Sequence, residues 1–518
     1  MFSPIQLTTL TFTLLFVSFI DAATIGPVSD MVISNAEISP DGYSRSAVLA
    51  GGTFPGPVLR GKKGDRFQLN VFDQLTDTTM ETSTSVHWHG IFQKGTDWAD
   101  GTASVTQCPI ISNNSFLYDF SVENQAGTYW YHSHVSTQYC DGLRGAFIVE
   151  DPNDPHKSLY DVDDESTIIT LADWYHAPAT VTPGLPTSPD AILINGKGRY
   201  TGGPDVPLSV INVQNGTRYR FRIIAMSCDP DFIFSIDNHT MTVIEADGEN
   251  TVPLTVDSLQ IFPGQRYSVV VNANQQVGNY WIRAYPKRGS GSHTAILRYG
   301  GAPVSDPLSD VGIPLPSILP LNEANLHPLE SASAPGQPFV GGADVVLNLA
   351  QAFDLESFKY TMNGYSYTPP TVPVLLQILS GAQTAQSLLP KGSVYSLPPN
   401  KVIEVSLPGP GVDTDGPHPF HLHGHTFSVI RSADSPEYNF VNPVRRDTVN
   451  TGFYGSNTTI RFVTDNAGPW FLHCHIDPHL ALGLAVVFAE DTQDVAAQNP
   501  VPDAWKALCP AYDSTHQQ

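Results

Sequence analysis

Four short stretches each place two histidines one residue apart: "VHWHG" (86–90), "YHSH" (131–134), "FHLHG" (420–424) and "LHCH" (472–475). Alternate side chains of an extended strand share a face, so each pair can offer two imidazoles to one site. The pairs are His87 with His89, His132 with His134, His421 with His423, and His473 with His475. One such pair is commonplace. Four, two toward each end of the chain, have no comparable structural use. In the last pair Cys474 stands between the histidines and on a strand would face the other way. His479 lies close by, and "HPFHLH" supplies His418, so Cys474 has two imidazoles of its own within reach.

Eight imidazoles exceed what one ion takes and suit a cluster of two or three. Two imidazoles and a thiolate in trigonal array are the preferred surroundings of a blue copper electron-transfer centre. Zinc would prefer a closed tetrahedral set and has no use for redox wiring. On this reading two metal sites stand back to back, and the peptide His473–Cys474–His475 joins them covalently, as an electron path between metals requires.

The elements that must position these residues read as β throughout. Runs such as "DRFQLNVFD", "STIITLADW", "YRFRIIAM", "RYSVVVNAN" and "KVIEVSL" are separated by Gly, Pro, Asn and Asp clusters, the texture of sandwiches built from short strands. The 43 prolines suit many turns and no long helix. "GTYWYHSHVSTQYCDGLRGAFIVED" (127–151) aligns with "GPWFLHCHIDPHLALGLAVVFAED" (468–491), so the two ends look like copies of one unit; the middle has the β texture without the histidines. The expected division is a signal segment over 1–22, a first domain over 23–153, a second over 154–303, a Pro-rich linker over 304–338 and a third domain over 339–518.

The apolar run in "MFSPIQLTTLTFTLLFVSFIDAAT", followed at once by small residues, reads as a secretory signal, although it lacks a basic residue at its start. No later segment approaches a membrane span. The expectation is a secreted, extracellular monomer without membrane or nucleic-acid partners, since a net charge of -24 would repel a phosphate backbone. Besides Cys474 there are Cys108, Cys140, Cys228 and Cys509, enough for two disulfides in any of three connectivities. Sequons at Asn113, Asn215, Asn238 and Asn457 fit glycosylation in the same compartment.

The stretches "HWHGIFQKGTDWADG", "YHSHVSTQYCDGLRG", "HPFHLHGHTFSVIRS" and "GPWFLHCHIDPH" together resemble the fungal-type laccases of the multicopper oxidase family, and the similarity runs from "ATIGPVSD" to "NPVPDAWKALCPAYD". The resemblance implies three cupredoxin-like Greek-key β-sandwich domains and four copper ions. Type 1 copper would be held by His418, Cys474 and His479, with Leu484 at the axial position as a non-ligand. Type 2 copper would be held by His87 and His421. One type 3 ion would take His89, His132 and His475, and the other His134, His423 and His473. The family's disulfides would pair Cys140 with Cys228 and Cys108 with Cys509. Asp229 matches the acid that contacts phenolic substrates, and Asp100 the acid that relays protons to the cluster. A phenol would dock against an exposed edge of His479, and its electron would cross Cys474 to the cluster, where dioxygen becomes two waters. Lignin or phenol degradation, pigment formation and detoxification are tasks such an enzyme performs.

Three positions depart from the family: Pro478 replaces a bulky aromatic, Ala481 replaces a common Glu, and "RAYPKRGSGSHTAILRY" is shorter than expected. Two rival readings share the ligand set: a ferroxidase of the same fold, which would need acids arranged for iron(II) near His479, and a secreted copper-binding protein without turnover. His425 reads as structural, and His156, His176, His239, His293, His327 and His516 take no role.

Overall fold

The alternating runs become strands. In the computed structural model, which describes residues 24–181, 188–286, 294–309, 316–330, 333–411, 416–433 and 435–515, these strands pair into six sheets of four to six strands and one separate hairpin. The expected signal segment, part of the short loop before Thr294, and His293 and His516 lie outside the described residues.

The sheets fall into three two-sheet sandwiches in chain order. Strands between Thr24 and Glu150 form a five-stranded and a four-stranded sheet; those between Ile168 and Tyr299 form six and five; those between Val345 and Glu490 form two sheets of five. The strand Arg66–Gln74 shows why: Phe67, Leu69 and Val71 are buried while the residues between them are not, so period-two alternation lays one face on the core. Each such side chain contributes about 1.5–3 kcal/mol by leaving water. Packing does not stop at the sandwich borders. One apolar core runs through the second and third sandwiches, and another joins the first to the third. Cys140–Cys228 ties the first sandwich to the second, and Cys108–Cys509 ties it to the C-terminal helix Leu508–Thr515. Among the described residues no helix is long and apolar enough to cross a membrane.

Two strand pairings do the positioning. Val86–His89 runs antiparallel to Gly127–Ser133 with His87 opposite His132, and Pro419–Leu422 runs antiparallel to Gly468–Cys474 with His421 opposite His473. Directly opposed residues bring their Cβ atoms to about 4.5–5.5 Å. Each terminal sandwich thus presents its two pairs as one patch, and the first and third sandwiches pack so that the patches meet.

Candidate metal centres

All eight paired histidines are buried and converge. His87 approaches His423 with ring centroids 4.0 Å apart, and His89 stacks on His421 at 3.7 Å, so both contacts cross between the first and third sandwiches. Ligand atoms of His87, His89 and His132 lie mutually within 4.8 Å, as do those of His87, His421 and His423, and those of His134, His423 and His473.

The outer nitrogens decide what the inner ones can do. Nδ1 of His87 donates to the Asp100 carbonyl (2.7 Å), that of His132 to Ser133 O (2.8 Å), that of His421 to Asp447 O (3.0 Å) and that of His473 to Cys474 O (3.0 Å). His423 Nδ1 donates to Asp100 Oδ2 at 2.9 Å, and His89 Nε2 to Asp447 Oδ1 at 3.3 Å. A neutral imidazole that donates from one nitrogen carries a lone pair on the other. Nε2 of His87, His132, His134 and His421 is accordingly buried with no hydrogen-bond partner. His423 Nε2 and His473 Nε2 face each other at 3.1 Å, as do His89 Nδ1 and His475 Nε2 at 3.3 Å. Lone pairs crowded in this way call for a cation between them, and the second-nitrogen anchors are those a metal-binding histidine uses. Burial, reinforced by neighbouring imidazoles, holds His89, His132, His423, His473 and His475 well below the usual histidine range and His134 down to about 3, so the set stays neutral and able to ligate.

Two buried acids organise the cluster. Burial raises the Asp100 carboxyl, but the pull of His423 and His87 prevails and holds it well below the ordinary carboxylate range. It accepts from Thr102 Oγ1 at 2.6 Å as well as from His423. Asp447 does the corresponding work for His89 and His421 and forms two bonds to Arg266 of the second sandwich, at 2.8 and 2.7 Å. Asp447 and Arg266 escaped the sequence reading because "VRRDTVN" and "PGQRYSV" carry no spacing signal. Asp97, three residues before Asp100, is also fully buried, and neither of its carboxylate oxygens has a hydrogen-bond partner; burial raises it well above the ordinary range.

Cys474 turns away from the cluster, as alternation predicts, and among the described residues it is the cysteine that neither disulfide takes up. Its Sγ lies 3.7 Å from His479 Nδ1, and a His418 nitrogen completes a group within 4.8 Å. His479 sits on the short helix Asp477–Ala481, and Pro478 falls in its first turn, where a proline's fixed φ suits helix initiation. Leu484 is buried, and its N–H donates to the His479 carbonyl at 3.0 Å. Ala481 is exposed at the helix end.

One expectation is overturned here. His479 has no exposed edge: its exposure is 0 %. The hairpin Gln351–Asp354 and Lys359–Met362 packs against the site, with the Tyr360 ring centroid 4.5 Å from that of His479 and 5.6 Å from that of His418. Gln351 of the same hairpin accepts from His418 Nδ1 at 2.5 Å, a contact the sequence reading also passed over. Asp229 is 8 % exposed, in a loop whose Cys228 carbonyl accepts from Asp477 N at 2.8 Å. Asn113, Asn215 and Asn238 are exposed, whereas Asn457 is half-buried at a strand start with its amide oxygen accepting from Ser406. His425 donates to Glu490 at 2.9 Å, in keeping with a structural role.

Sequence profiles described as multicopper oxidase match residues 32–154, 165–302 and 367–494. Laccase-2 of Trametes villosa is 60 % identical over 498 residues, covering 95 % of each chain. A Botrytis aclada laccase structure is similar with a TM-score of 0.83 at 31 % identity, covering 96 % of this chain and 93 % of that one. A multicopper oxidase that functions in iron import is similar with a TM-score of 0.81 at 29 % identity, covering 94 % of this chain and 95 % of that one.

Proposed function

The chain belongs to the multicopper oxidase family, among its laccases, and from that premise we propose that it is a secreted, monomeric, glycosylated enzyme that takes single electrons from phenols and delivers them to dioxygen. Its three domains are cupredoxin-like β-sandwiches. The observation that carries the reading is the convergence of eight buried imidazoles, six of them anchored through their outer nitrogens, beside a separate Cys474, His418 and His479 group, joined to them by one tripeptide. In the proposed division, type 1 copper belongs to His418, Cys474 and His479. Type 2 copper belongs to His87 and His421. One type 3 ion belongs to His89, His132 and His475, the other to His134, His423 and His473.

Bound copper supplies one-electron acceptance at the Cys474 site and four-electron reduction of dioxygen to two waters at the histidine cluster. The chain's own residues do the rest. His473 and His475 flank Cys474, so the two centres are separated by peptide bonds and no solvent. Asp100, which accepts from His423 through its carboxylate and from His87 through its carbonyl, is the acid placed to relay protons bound for the oxygen site. Asp229 accepts the phenol proton as the electron leaves. Leu484, packed beside Cys474, offers no lone pair, so a copper ion held there would have a higher reduction potential than one with a thioether in that place. Burial of every ligand excludes water and keeps partly reduced oxygen from escaping.

Oxygen consumption by the copper-loaded enzyme, with kcat/KM compared for a methoxyphenol and for iron(II), tests the substrate. Preference for the phenol is expected. Preference for iron would leave the copper assignments standing and make the protein a ferroxidase. Absence of oxygen uptake with any reductant would leave a copper-binding protein.

A further inference from the structure

We infer that Asp173 is the positioning residue for Asp229: its buried carboxylate, with the Tyr175 hydroxyl bonded to it, sets where the acceptor of the phenol proton stands. The inference rests on the proposed role of Asp229.

Strand length puts Asp173 in place. The strand Ile168–Trp174 runs parallel to Arg218–Ala225, with Leu171 opposite Ala225 as the final pair of the register. Asp173 lies beyond that pair, beside the chain as it leaves the sheet toward Cys228 and Asp229. The amides of that loop have no strand partner, and buried N–H groups need an acceptor. Asp173 supplies it. Cys228 N donates to its two carboxylate oxygens at 2.9 and 3.0 Å, and Asp229 N donates to Oδ2 at 3.1 Å.

A carboxylate buried in this way needs a counter-charge. Arg144 of the first sandwich provides it: Nη1 donates to Asp173 Oδ1 at 3.1 Å and Nη2 to the Asp173 carbonyl at 2.7 Å, with both side chains 0 % exposed. Half-buried Tyr175 adds its hydroxyl, which donates to Asp173 Oδ2 at 3.1 Å. Burial, with the charges of Asp173 and Asp229 behind it, raises the Tyr175 phenol well above the ordinary tyrosine range, so it stays a donor.

The loop is held from its other side as well. Tyr139 Oη donates to Ser227 O at 3.1 Å, and Asp477 N, at the start of the helix that carries His479, donates to Cys228 O at 2.8 Å. Cys228 is thus bound through its carbonyl to the His479 helix and through its N–H to Asp173, and Asp229 is the next residue. A phenol can touch Asp229, which is 8 % exposed, whereas Asp173 has no surface to offer. Asp173 therefore acts on the reaction only through Asp229.

This dependence separates two kinds of electron donor. A phenol gives one electron to the Cys474 site and its hydroxyl proton to the Asp229 carboxylate, leaving a phenoxyl radical; Asp229 then releases the proton to water. Ferrocyanide gives an electron and no proton, so it has no use for Asp229.

The test is a double-mutant cycle on the copper-loaded enzyme: kcat/KM for a methoxyphenol and for ferrocyanide in wild type, Asp173→Asn, Asp229→Asn and the double variant, with the visible thiolate-to-copper absorption recorded for each. Asp173→Asn should lower the phenol value by about tenfold, part of what a placed base contributes, and leave the absorption unchanged. Its effect on ferrocyanide, and its effect on the phenol once Asp229 is already Asn, should stay within about twofold. An equal loss with ferrocyanide, a lost absorption, or the same penalty in the Asp229→Asn background overturns the inference, because Asp173 is then a general support of the fold. No loss with the phenol overturns it as well. Should Asp173→Asn fail to fold with Arg144 left unpaired, Tyr175→Phe carries the same cycle: about a threefold phenol-selective loss that vanishes in Asp229→Asn is expected, and no selective loss overturns the inference. An unchanged phenol value in Asp229→Asn alone refutes the role of Asp229 itself, and the inference with it, a result distinct from the others.

Discussion

The histidine cluster and the Cys474 site are held by different kinds of partner. In the cluster, four of the eight imidazoles are fixed through main-chain carbonyls at His87, His132, His421 and His473, and two more through the buried acids Asp100 and Asp447. Main-chain geometry follows from strand register and is indifferent to most substitutions. The Cys474 site is fixed and covered by side chains: Gln351 on His418, Tyr360 over His479, Leu484 beneath. Such a site is tunable. The comparison teaches that, in the proposed division, oxygen chemistry falls to the part of the molecule that is hard to perturb, and donor choice to the part that is easy.

Substitutions can break that contrast, beginning with the largest effect. Cys474→Ser should abolish the intense visible absorption and phenol turnover while copper remains at the cluster; metal analysis together with the spectrum checks this. Asp447→Ala removes the nearer carboxylate of buried Arg266 and leaves it only Asp247, 3.7 Å away, so it should cost up to about 3–5 kcal/mol in denaturant unfolding. The same variant should weaken cluster copper by about 10–100-fold while the Cys474 absorption survives in the fraction that stays folded. Gln351→Leu removes an acceptor that makes the His418 ring more electron-rich. The type 1 potential should rise by no more than about 60 mV, one decade for a one-electron couple, with cluster copper unchanged in a redox titration.

The smallest effect is a pH dependence. Burial raises Asp97 well above the ordinary carboxylate range, so the folded chain keeps a proton that the unfolded chain releases. Stability therefore falls as pH rises from about 4, the unfolded value, toward the raised folded one. Asp97→Asn should match wild type below that window and become the more stable of the two above it, as melting temperatures across pH would register.

The cluster was legible in the sequence because strand alternation turns His-x-His into two ligands on one face, and because the repeat announced two equivalent patches. The same alternation set Cys474 apart, and the resemblance implied both disulfide pairings that the structure contains. Asp447, Arg266, Gln351 and Tyr360 were not legible. Each acts through contacts far away in the chain: Asp447 is 358 residues from His89, and Gln351 is 67 from His418. No local periodicity marks such partners. The hairpin's packing against His479 was missed for the same reason, since "QAFDLESFKY" reads as an ordinary hairpin and only its contacts show what it meets.

The bridge between Cys108 and Cys509, 401 residues apart, turns most of the chain into a closed ring. A protease that cuts one exposed loop anywhere between those two cysteines opens the ring but releases nothing. The Pro-rich stretch from 304 to 338 lies inside it. A nicked molecule would thus keep its mass, its shared cores and both metal centres until a reductant reached the bridge. Damage to the backbone and loss of the folded molecule thereby become separate events.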